Sequence, residues 1–163
     1  MELVKTSIEG LVIIQPKVFK DERGYFMESY KESFINQSLI GIHFIQDNES
    51  FSTKGVLRGL HYQTGVYAQA KLVRVIKGSV LDVVVDIRRN SATFGQHVAL
   101  EISEENKLQL FIPKGFVHGF SVLSETADVM YKIDDFYHKD SEVGVIYNDP
   151  TLHIDWKVPV EKQ

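Results

Sequence analysis

Residues 79–88 read Ser-Val-Leu-Asp-Val-Val-Val-Asp-Ile-Arg and carry a clear strand pattern. Successive side chains of a β-strand point to opposite faces, so one face of this strand is wholly apolar. The other face sets Asp82, Asp86 and Arg88 among valines. Such a mixed face usually contacts solvent, but a barrel that holds a ligand needs polar side chains pointing inward. The run therefore predicts a β-strand whose second face lies either in solvent or in a polar cavity.

Clusters of turn-forming residues flank this strand and recur along the chain. They are Glu9-Gly10, Asp21–Gly24, Asn48–Ser50, Lys77-Gly78, Arg89–Ser91, Pro113–Gly115 and Asn148–Pro150. Between them lie short runs rich in Val, Ile, Phe and Tyr, and many short strands at this spacing predict an all-β protein, an antiparallel sandwich or barrel. One short helix is predicted from Lys31 to about Leu39, and Ser103–Asn106 suits the start of a single helical turn.

The composition limits the class of protein. A length of 163 residues corresponds to one domain, which we expect to span residues 1–163. The formal net charge of -4 gives no electrostatic reason to expect a nucleic-acid partner. No apolar run is long enough to cross a membrane and Met1–Lys5 lacks a leader pattern, so we expect a cytoplasmic protein without a membrane partner. With no Cys, the chemistry must come from other side chains.

Two of the six histidines lie in suggestive local settings. His61 ends a strand-like run that Gly59 interrupts, and His118 follows the Pro113–Gly115 turn. A lone His on an apolar strand is often a core residue satisfied by one hydrogen bond, and either of these fits that description. Their functional interpretation therefore depends on the surrounding motifs.

The Pro-x-Gly-x-x-His spacing that ends at His118 resembles the second short motif of the cupin superfamily. The turn aims His118 from the start of a strand into the barrel mouth. In metal-binding cupins the companion motif is His-x-His followed by a Glu, whereas here Gln63 follows His61 and the next stretch offers Lys71. The resemblance predicts a cupin-like antiparallel β-sandwich, or jelly roll, that has no metal and keeps His61, Lys71 and His118 for acid–base chemistry at a carbonyl.

Six longer runs resemble, in order, the dTDP-4-dehydrorhamnose 3,5-epimerase family. They are residues 18–30, 44–48, 56–63, 69–75, 112–120 and 148–150. The likeness extends from about Thr6 to Trp156. It implies epimerisation at C3 and/or C5 of a nucleoside-diphosphate 4-keto-6-deoxyhexose, in the synthesis of deoxysugars for surface polysaccharides. Neither a cofactor nor a metal is implied, and the Gly-rich fingerprint of dinucleotide binding is absent from the sequence.

The resemblance also implies roles for single residues. His61 matches the catalytic base, Tyr131 the proton donor, and Lys71 and His118 the charged groups near the sugar. Tyr137 matches the aromatic residue that stacks on the base. The nucleotide and diphosphate contacts match Arg23, Glu28, Gln46, Asn48, Arg58 and Glu142. Without the family, these side chains would be interpreted as hairpin charges, turn formers, a solvated carboxylate and half-buried sheet aromatics.

The chemistry explains why these residue types are needed. A ketone at C4 acidifies the protons on C3 and C5, so inversion requires a base on one face and an acid on the other. His, with an ordinary pKa of about 6.5, takes a proton, and Tyr, at about 10, returns one. The ammonium of Lys71 stabilises the enolate oxygen. The planar guanidinium groups of Arg23 and Arg58 suit the diphosphate.

Two features depart from the simplest expectation. Family members continue beyond Trp156 into a segment ending in Ser-x-Lys-Asp, whose Asp pairs with the catalytic His, and this sequence has no such segment. Either Asp82 or Asp86 of the mixed strand face then orients His61, or the activity is narrower than in the family, or the sequence is cut short. Arg58 and His61 are three residues apart, which a regular strand would place on opposite faces. Either Gly59 hosts a β-bulge that restores a common direction, or Arg58 reaches the diphosphate from the strand edge or serves another subunit.

Other functions compete with this one. The same scaffold could invert C3 alone, or move the keto group as a 3,4-ketoisomerase, with a nucleotide that the sequence does not specify. A non-catalytic cupin that binds sugar nucleotides and a metal-dependent oxygenase are the alternatives of other classes. Open sheet edges predict a homodimer, and the resemblance implies that residues around Arg23 and Phe26 complete the nucleotide site of the neighbouring subunit.

Overall fold

A computed structural model describes residues 1–39, 41–161 and 163, and most of its regular structure is β-strand. One α-helix, α1, spans Glu32–Ser38. The strands are β1 Glu2–Lys5, β2 Val12–Gln15, β3 Val18–Asp21, β4 Gly24–Met27, β5 Gln46–Thr53, β6 Leu57–Gln63, β7 Lys71–Lys77, β8 Ser79–Asp86, β9 His97–Ser103, β10 Gln109–Ile112, β11 Phe116–Val122, β12 Thr126–Ile133 and β13 Glu142–Gly144.

The strands form two facing antiparallel sheets and a small hairpin. The larger sheet has the order β1-β2-β10-β7-β12-β5, and the smaller has the order β13-β6-β11-β8-β9. Among the described residues, strands β3 and β4 pair only with each other. The predicted all-β, cupin-like antiparallel sandwich is therefore confirmed.

The core between the sheets is built from the inward faces of their strands. Val73 from the larger sheet and Val80 and Val84 from β8 belong to one buried cluster. Asp82 and Asp86 share that inward face and are fully buried. The mixed face of β8 thus lies inside the sandwich and not in solvent. Asp82 and Asp86 can be buried there since each has a hydrogen-bond partner.

The wholly apolar face of β8 lies on the outside of the smaller sheet. Leu81, Val83 and Val85 pack there beneath Trp156 and its neighbours in residues 145–160. The Trp156 indole N–H donates to the Tyr147 carbonyl over 2.9 Å. An irregular segment therefore covers this face of the sheet, which alternation alone does not predict.

Helix α1 forms where the sequence predicts it and covers part of the larger sheet. Ile35 packs there with Leu72 and Phe111. The Ser103–Asn106 stretch is a hydrogen-bonded turn without a helix, since the Asn106 side chain accepts the Ser103 amide. Two short 3-10 turns were not predicted, at Gly65–Tyr67 and Lys139–Ser141. No helix of the described residues is long and apolar enough to span a membrane.

Strands β6 and β11 contain the predicted bulge. His61 pairs with His118, and Arg58 pairs with Phe120, so three steps along β6 match two along β11. Gly59 has a φ of +113°, and a Cβ there would lie 2.5 Å from the His118 carbonyl oxygen. Only glycine fits this close approach, and the bulge turns Arg58 and His61 toward the same cavity.

Candidate active site

A polar cleft lies between the two sheets, made of two adjoining cavities of about 310 and 380 Å³. Both cavities share His61, Lys71 and Tyr131, which makes these the centre of the cleft. One end adds Arg58 and His118. The other end adds Gln46, Asn48, Tyr137 and Glu142. The structure therefore brings together all the predicted catalytic and substrate-binding residues except Arg23 and Glu28.

Strand pairing places the central side chains on opposite walls. His61 on β6 and His118 on β11 are paired neighbours in the smaller sheet. Tyr131 on β12 pairs with Asn48 on β5, while Lys71 begins β7 in the same larger sheet. A molecule held in the cleft would thus meet imidazoles on one side and the Tyr131 and Lys71 side chains on the other.

His61 has a cationic neighbour. Its Nε2 lies 3.4 Å from the Lys71 Nζ. Burial lowers the pKa of His61 to about 3, and the charges of Lys71 and His118 act in the same direction. The imidazole is therefore neutral near pH 7, which is the form that accepts a proton.

Lys71 is almost fully buried, and burial lowers its pKa to about 8. The carboxylates of Asp82 and Glu142 oppose that decrease. The ammonium form therefore still dominates near pH 7. A buried cation beside a neutral base is suited to stabilise negative charge that develops on a bound oxygen.

The carboxylate expected to orient His61 contacts the other histidine. Asp82 lies 2.9 Å from His118 Nε2, and both groups are buried. Asp82 contacts His118 and not the predicted His61, because β11 lies between β8 and β6. Asp86 is bound by Arg88 and by Ser91. Within the described residues, no carboxylate lies within hydrogen-bonding distance of His61.

Tyr131 stays protonated in the cleft. Burial raises its pKa above the ordinary value of tyrosine, with Arg58 opposing the shift and Glu142 adding to it. A phenol that keeps its proton is available to donate it. The Arg58 guanidinium is held by the Ser52 hydroxyl at 2.9 Å and by the Phe51 carbonyl at 3.2 Å.

The rim of the cleft carries two polar pairs. The Gln46 amide donates to Asn48 over 2.7 Å. The Tyr137 hydroxyl donates to Glu142 over 2.7 Å, and 56% of the Tyr137 residue surface is exposed. An exposed ring whose hydroxyl is already held presents a flat apolar face to a planar ligand.

Arg23 and Glu28 lie outside the cleft of their own chain. Arg23 is in the turn between β3 and β4, where it pairs with Asp21 at 2.6 Å and is 85% exposed at its side chain. Glu28 follows β4 and lies 3.6 Å from Lys31. The same hairpin exposes Phe26. Within one chain, neither Arg23 nor Glu28 lines the cleft that contains the other predicted contacts.

Sequence reasoning missed Gln63 and Gln69, which line the second cavity. Gln63 is buried and bonds the backbone on both sides of Tyr137. The sequence pointed to Gln63 only through its position in the companion motif, where it replaces a metal ligand. Among the residues that the structure describes, no three His, Asp or Glu side chains form a group that could hold a metal ion.

The fold and the cleft together define a class of protein. It is a cupin-like sandwich with a neutral imidazole, a buried ammonium and a protonated phenol around one cavity, the groups of an isomerase that moves protons next to a carbonyl.

Comparison with known proteins agrees with that class and narrows it. The profile of the dTDP-4-dehydrorhamnose 3,5-epimerase family matches residues 5–163. The dTDP-4-dehydrorhamnose 3,5-epimerase of Shigella flexneri is 52% identical over 160 residues, which cover 97% of this chain and 88% of the relative. This chain therefore belongs to the dTDP-4-dehydrorhamnose 3,5-epimerase family, as the sequence motifs indicated.

Solved structures show the same relation. The enzyme of Elizabethkingia anophelis NUHP1 matches with a TM-score of 0.92 and 56% identity, over 98% of this chain and 87% of the other. The dTDP-6-deoxy-D-glucose-3,5-epimerase of Legionella pneumophila Philadelphia 1, solved with dTDP-4-keto-L-rhamnose, matches with a TM-score of 0.95 and 52% identity, over 99% of this chain and 86% of the other. The sandwich described above is thus the fold of epimerases in this family.

Proposed function

We propose that this protein epimerises dTDP-4-dehydro-6-deoxyglucose at C3 and C5 to give dTDP-4-dehydrorhamnose. The observation that carries the proposal is the meeting of His61, Lys71 and Tyr131 in one cleft, with the histidine neutral and the tyrosine protonated. Family membership supports the choice of substrate.

In the proposed reaction, His61 Nε2 removes the proton from C3 or C5. The electron pair of the broken C–H bond moves toward the C4 carbonyl and forms an enolate, whose oxygen the Lys71 ammonium stabilises. Tyr131, on the opposite sheet, protonates the carbon from the other face and becomes a phenolate. Solvent then returns a proton to Tyr131 and takes one from His61, so the enzyme is restored and the sugar is inverted.

The rest of the cleft would bind the nucleotide. Arg58 is preorganised by two hydrogen bonds and is placed to meet a phosphate oxygen. Gln46 and Asn48 offer amide donors and acceptors at the other end, where Tyr137 would stack on the base. His118, held by Asp82, would bind a sugar oxygen.

Arg23 and Glu28 would complete the site of a neighbouring subunit in a homodimer. The support is that the β3–β4 hairpin exposes Phe19, Phe26 and Arg23, and that none of them lines the cleft around His61 in its own chain. Mixing inactive Arg23→Ala with inactive His61→Ala should restore part of the activity, because some subunit pairs then contain one intact site. Activity that stays absent on mixing, or a fully active monomer, would contradict this arrangement. The reaction would take place in the cytoplasm.

The decisive experiment is turnover of dTDP-4-dehydro-6-deoxyglucose in deuterated water, with the label located by NMR. Deuterium at both C3 and C5 of an inverted product is the expected result. Label at C3 alone would indicate a C3 epimerase, and binding without label would indicate a non-catalytic protein. The uridine-diphosphate analogue, compared under the same conditions, tests the choice of nucleotide.

Tyr131→Phe gives a sharper test of the two-face mechanism. With His61 intact the enolate still forms, and the imidazolium, once exchanged with solvent, returns deuterium to the original face. Labelled substrate should therefore accumulate with little inverted product. Equal loss of exchange and inversion in a variant that still binds substrate would show that the acid and base are assigned wrongly.

A further inference from the structure

Gln63 is a buried amide at the end of β6 that uses both ends of its side chain. Its Nε2 donates to the Tyr67 carbonyl at 3.2 Å and to the Phe136 carbonyl at 3.4 Å. Its Oε1 accepts the backbone N–H of His138. An amide is the side chain that supplies two donors and an acceptor from one position, as this arrangement requires.

These bonds hold the backbone on both sides of Tyr137. Phe136 and His138, its two chain neighbours, are the residues that Gln63 binds. Further support comes from Gln69, which donates to the Asp135 carbonyl at 2.8 Å. The Tyr137 ring itself is exposed, so its position depends mainly on the backbone beneath it.

The partner of the Tyr137 hydroxyl is placed from the same position. Glu142 on β13 pairs directly with Gln63 on β6. The next residue, Thr64, donates its amide to the Ser141 carbonyl at 2.9 Å. Gln63 therefore contacts both chain neighbours of Tyr137 and is the strand partner of Glu142.

We propose that Gln63 is a positioning residue, which sets the affinity for the nucleotide end of the substrate by holding Tyr137 in place. The inference rests on the proposed function, since it assigns the nucleotide to the Tyr137 side of the cleft. A preformed stacking surface binds more tightly. The segment between β12 and β13, which carries Tyr137, then loses less conformational freedom when the ligand arrives. The proton-transfer groups His61, Lys71 and Tyr131 themselves lie on strands β6, β7 and β12.

Two substitutions test whether Gln63 affects nucleotide binding rather than catalysis. Gln63→Glu keeps the shape but presents oxygen to two carbonyls, and Gln63→Met keeps the length without any hydrogen bond. Either should raise the dissociation constant of dTDP, and KM, about tenfold, because the segment around Tyr137 must then be ordered when the ligand binds; tenfold corresponds to roughly 1.4 kcal/mol. The kcat should change less than about twofold, because the interactions of the transition state remain. If Gln63→Glu fails to fold, Gln63→Met carries the test.

Asn106→Asp is the matched control. Asn106 is also an amide that joins three backbone groups of a turn, accepting from Ser103 and Leu108 and donating to Glu101, but it is not among the residues that line the cleft. Its substitution should leave the affinity for dTDP unchanged. A reduction in affinity equal to that of Gln63→Glu would show a general loss of stability and would overturn the proposal.

A double-mutant cycle tests whether Gln63 acts through Tyr137. In the Tyr137→Ala background, Gln63→Met should change the dissociation constant of dTDP less than about twofold, because the residue to be positioned is gone. Full additivity of the two substitutions would overturn the proposal. So would a Gln63→Met variant that lowers kcat and leaves KM unchanged.

Hydrogen exchange separates this inference from the proposed function. In Gln63→Met without ligand, the His138 amide should exchange faster than in the parent protein. Unchanged protection of that amide would overturn the role of Gln63. A parent protein that binds no dTDP would instead refute the proposed function, whatever the exchange rates show.

Discussion

His61 and His118 are paired neighbours on adjacent strands, and both line one cavity, yet they contact opposite charges. Burial lowers the pKa of the His61 imidazole to about 3, and the Lys71 ammonium, 3.4 Å away, acts in the same direction. The His118 imidazole lies 2.9 Å from the Asp82 carboxylate. Burial beside a cation thus leaves the His61 imidazole neutral, whereas the Asp82 carboxylate holds the His118 ring in one orientation.

The largest difference between the two histidines should appear on substitution. His61→Asn should lower kcat about 10²- to 10⁴-fold, the usual contribution of a general base, and should stop deuterium exchange into the substrate. The exposed His43 provides the control, because His43→Asn changes an imidazole that only contacts Glu32. Rapid exchange in His61→Asn would transfer the base role to another residue, with Lys71 next in position.

Asp82→Asn alters the partner of His118 and leaves His61 in place. It should lower kcat/KM about 10- to 100-fold, because a hydrogen bond to a charged group is worth roughly 1.5–3 kcal/mol. Steady-state kinetics measure this effect, and Asp155→Asn, at an exposed carboxylate outside the cleft, serves as the control. Unchanged kinetics in Asp82→Asn would remove the His118–Asp82 pair from the reaction.

The pH profile tests the cation beside His61. Lys71, whose pKa is lowered to about 8, is charged below that pH and loses its proton as the pH rises through it. We therefore expect kcat/KM to fall about tenfold per pH unit above pH 8, while His61 remains neutral throughout the neutral range. In Asp82→Asn this decrease should begin at lower pH, because Asp82 is one of the charges that raise the pKa of Lys71. If the decrease in kcat/KM began at the same pH in both proteins, it would not reflect the ionisation of Lys71.

The smallest expected effect concerns stability in mild acid. The pKa of His61 is about 3 in the folded protein and 6.5 in the reference state, so the unfolded chain binds the additional proton between these values. Stability should therefore decrease as the pH falls below 6.5. His61→Asn should remove about 1–2 kcal/mol of the decrease between pH 7.5 and 5, measured by urea unfolding. An identical pH dependence in both proteins would contradict the burial of a neutral His61.

Part of this structure could be predicted from patterns in short stretches of the sequence. Alternation in residues 79–88 predicted the strand and its two unlike faces, and the three-residue spacing of Arg58 and His61, which the family resemblance assigns to one site, indicated a bulge at Gly59. Both are properties of neighbouring residues. The family motifs then placed most of the predicted residues in the cleft.

The features that were missed depend on which strands become neighbours. Asp82 was assigned to His61 because both are polar and inward, but the order β6-β11-β8 puts His118 between them. Trp156 covers the outside of β8 although it lies 70 positions beyond Asp86, the last residue of that strand. Gln63 was interpreted by its motif position, whereas its role follows from contacts with a loop far along the chain.

The close contact of Gly59 and Gly119 limits how the cleft could be redesigned for larger sugars. A Cβ at Gly119 would lie 2.7 Å from the Arg58 carbonyl oxygen, as one at Gly59 would collide with His118. A side chain therefore cannot be added at either glycine without moving the paired backbones of β6 and β11, which carry both imidazoles. An engineer who wants more volume should instead shorten side chains on the opposite wall, such as Val73 and Val129, which line the same cavity.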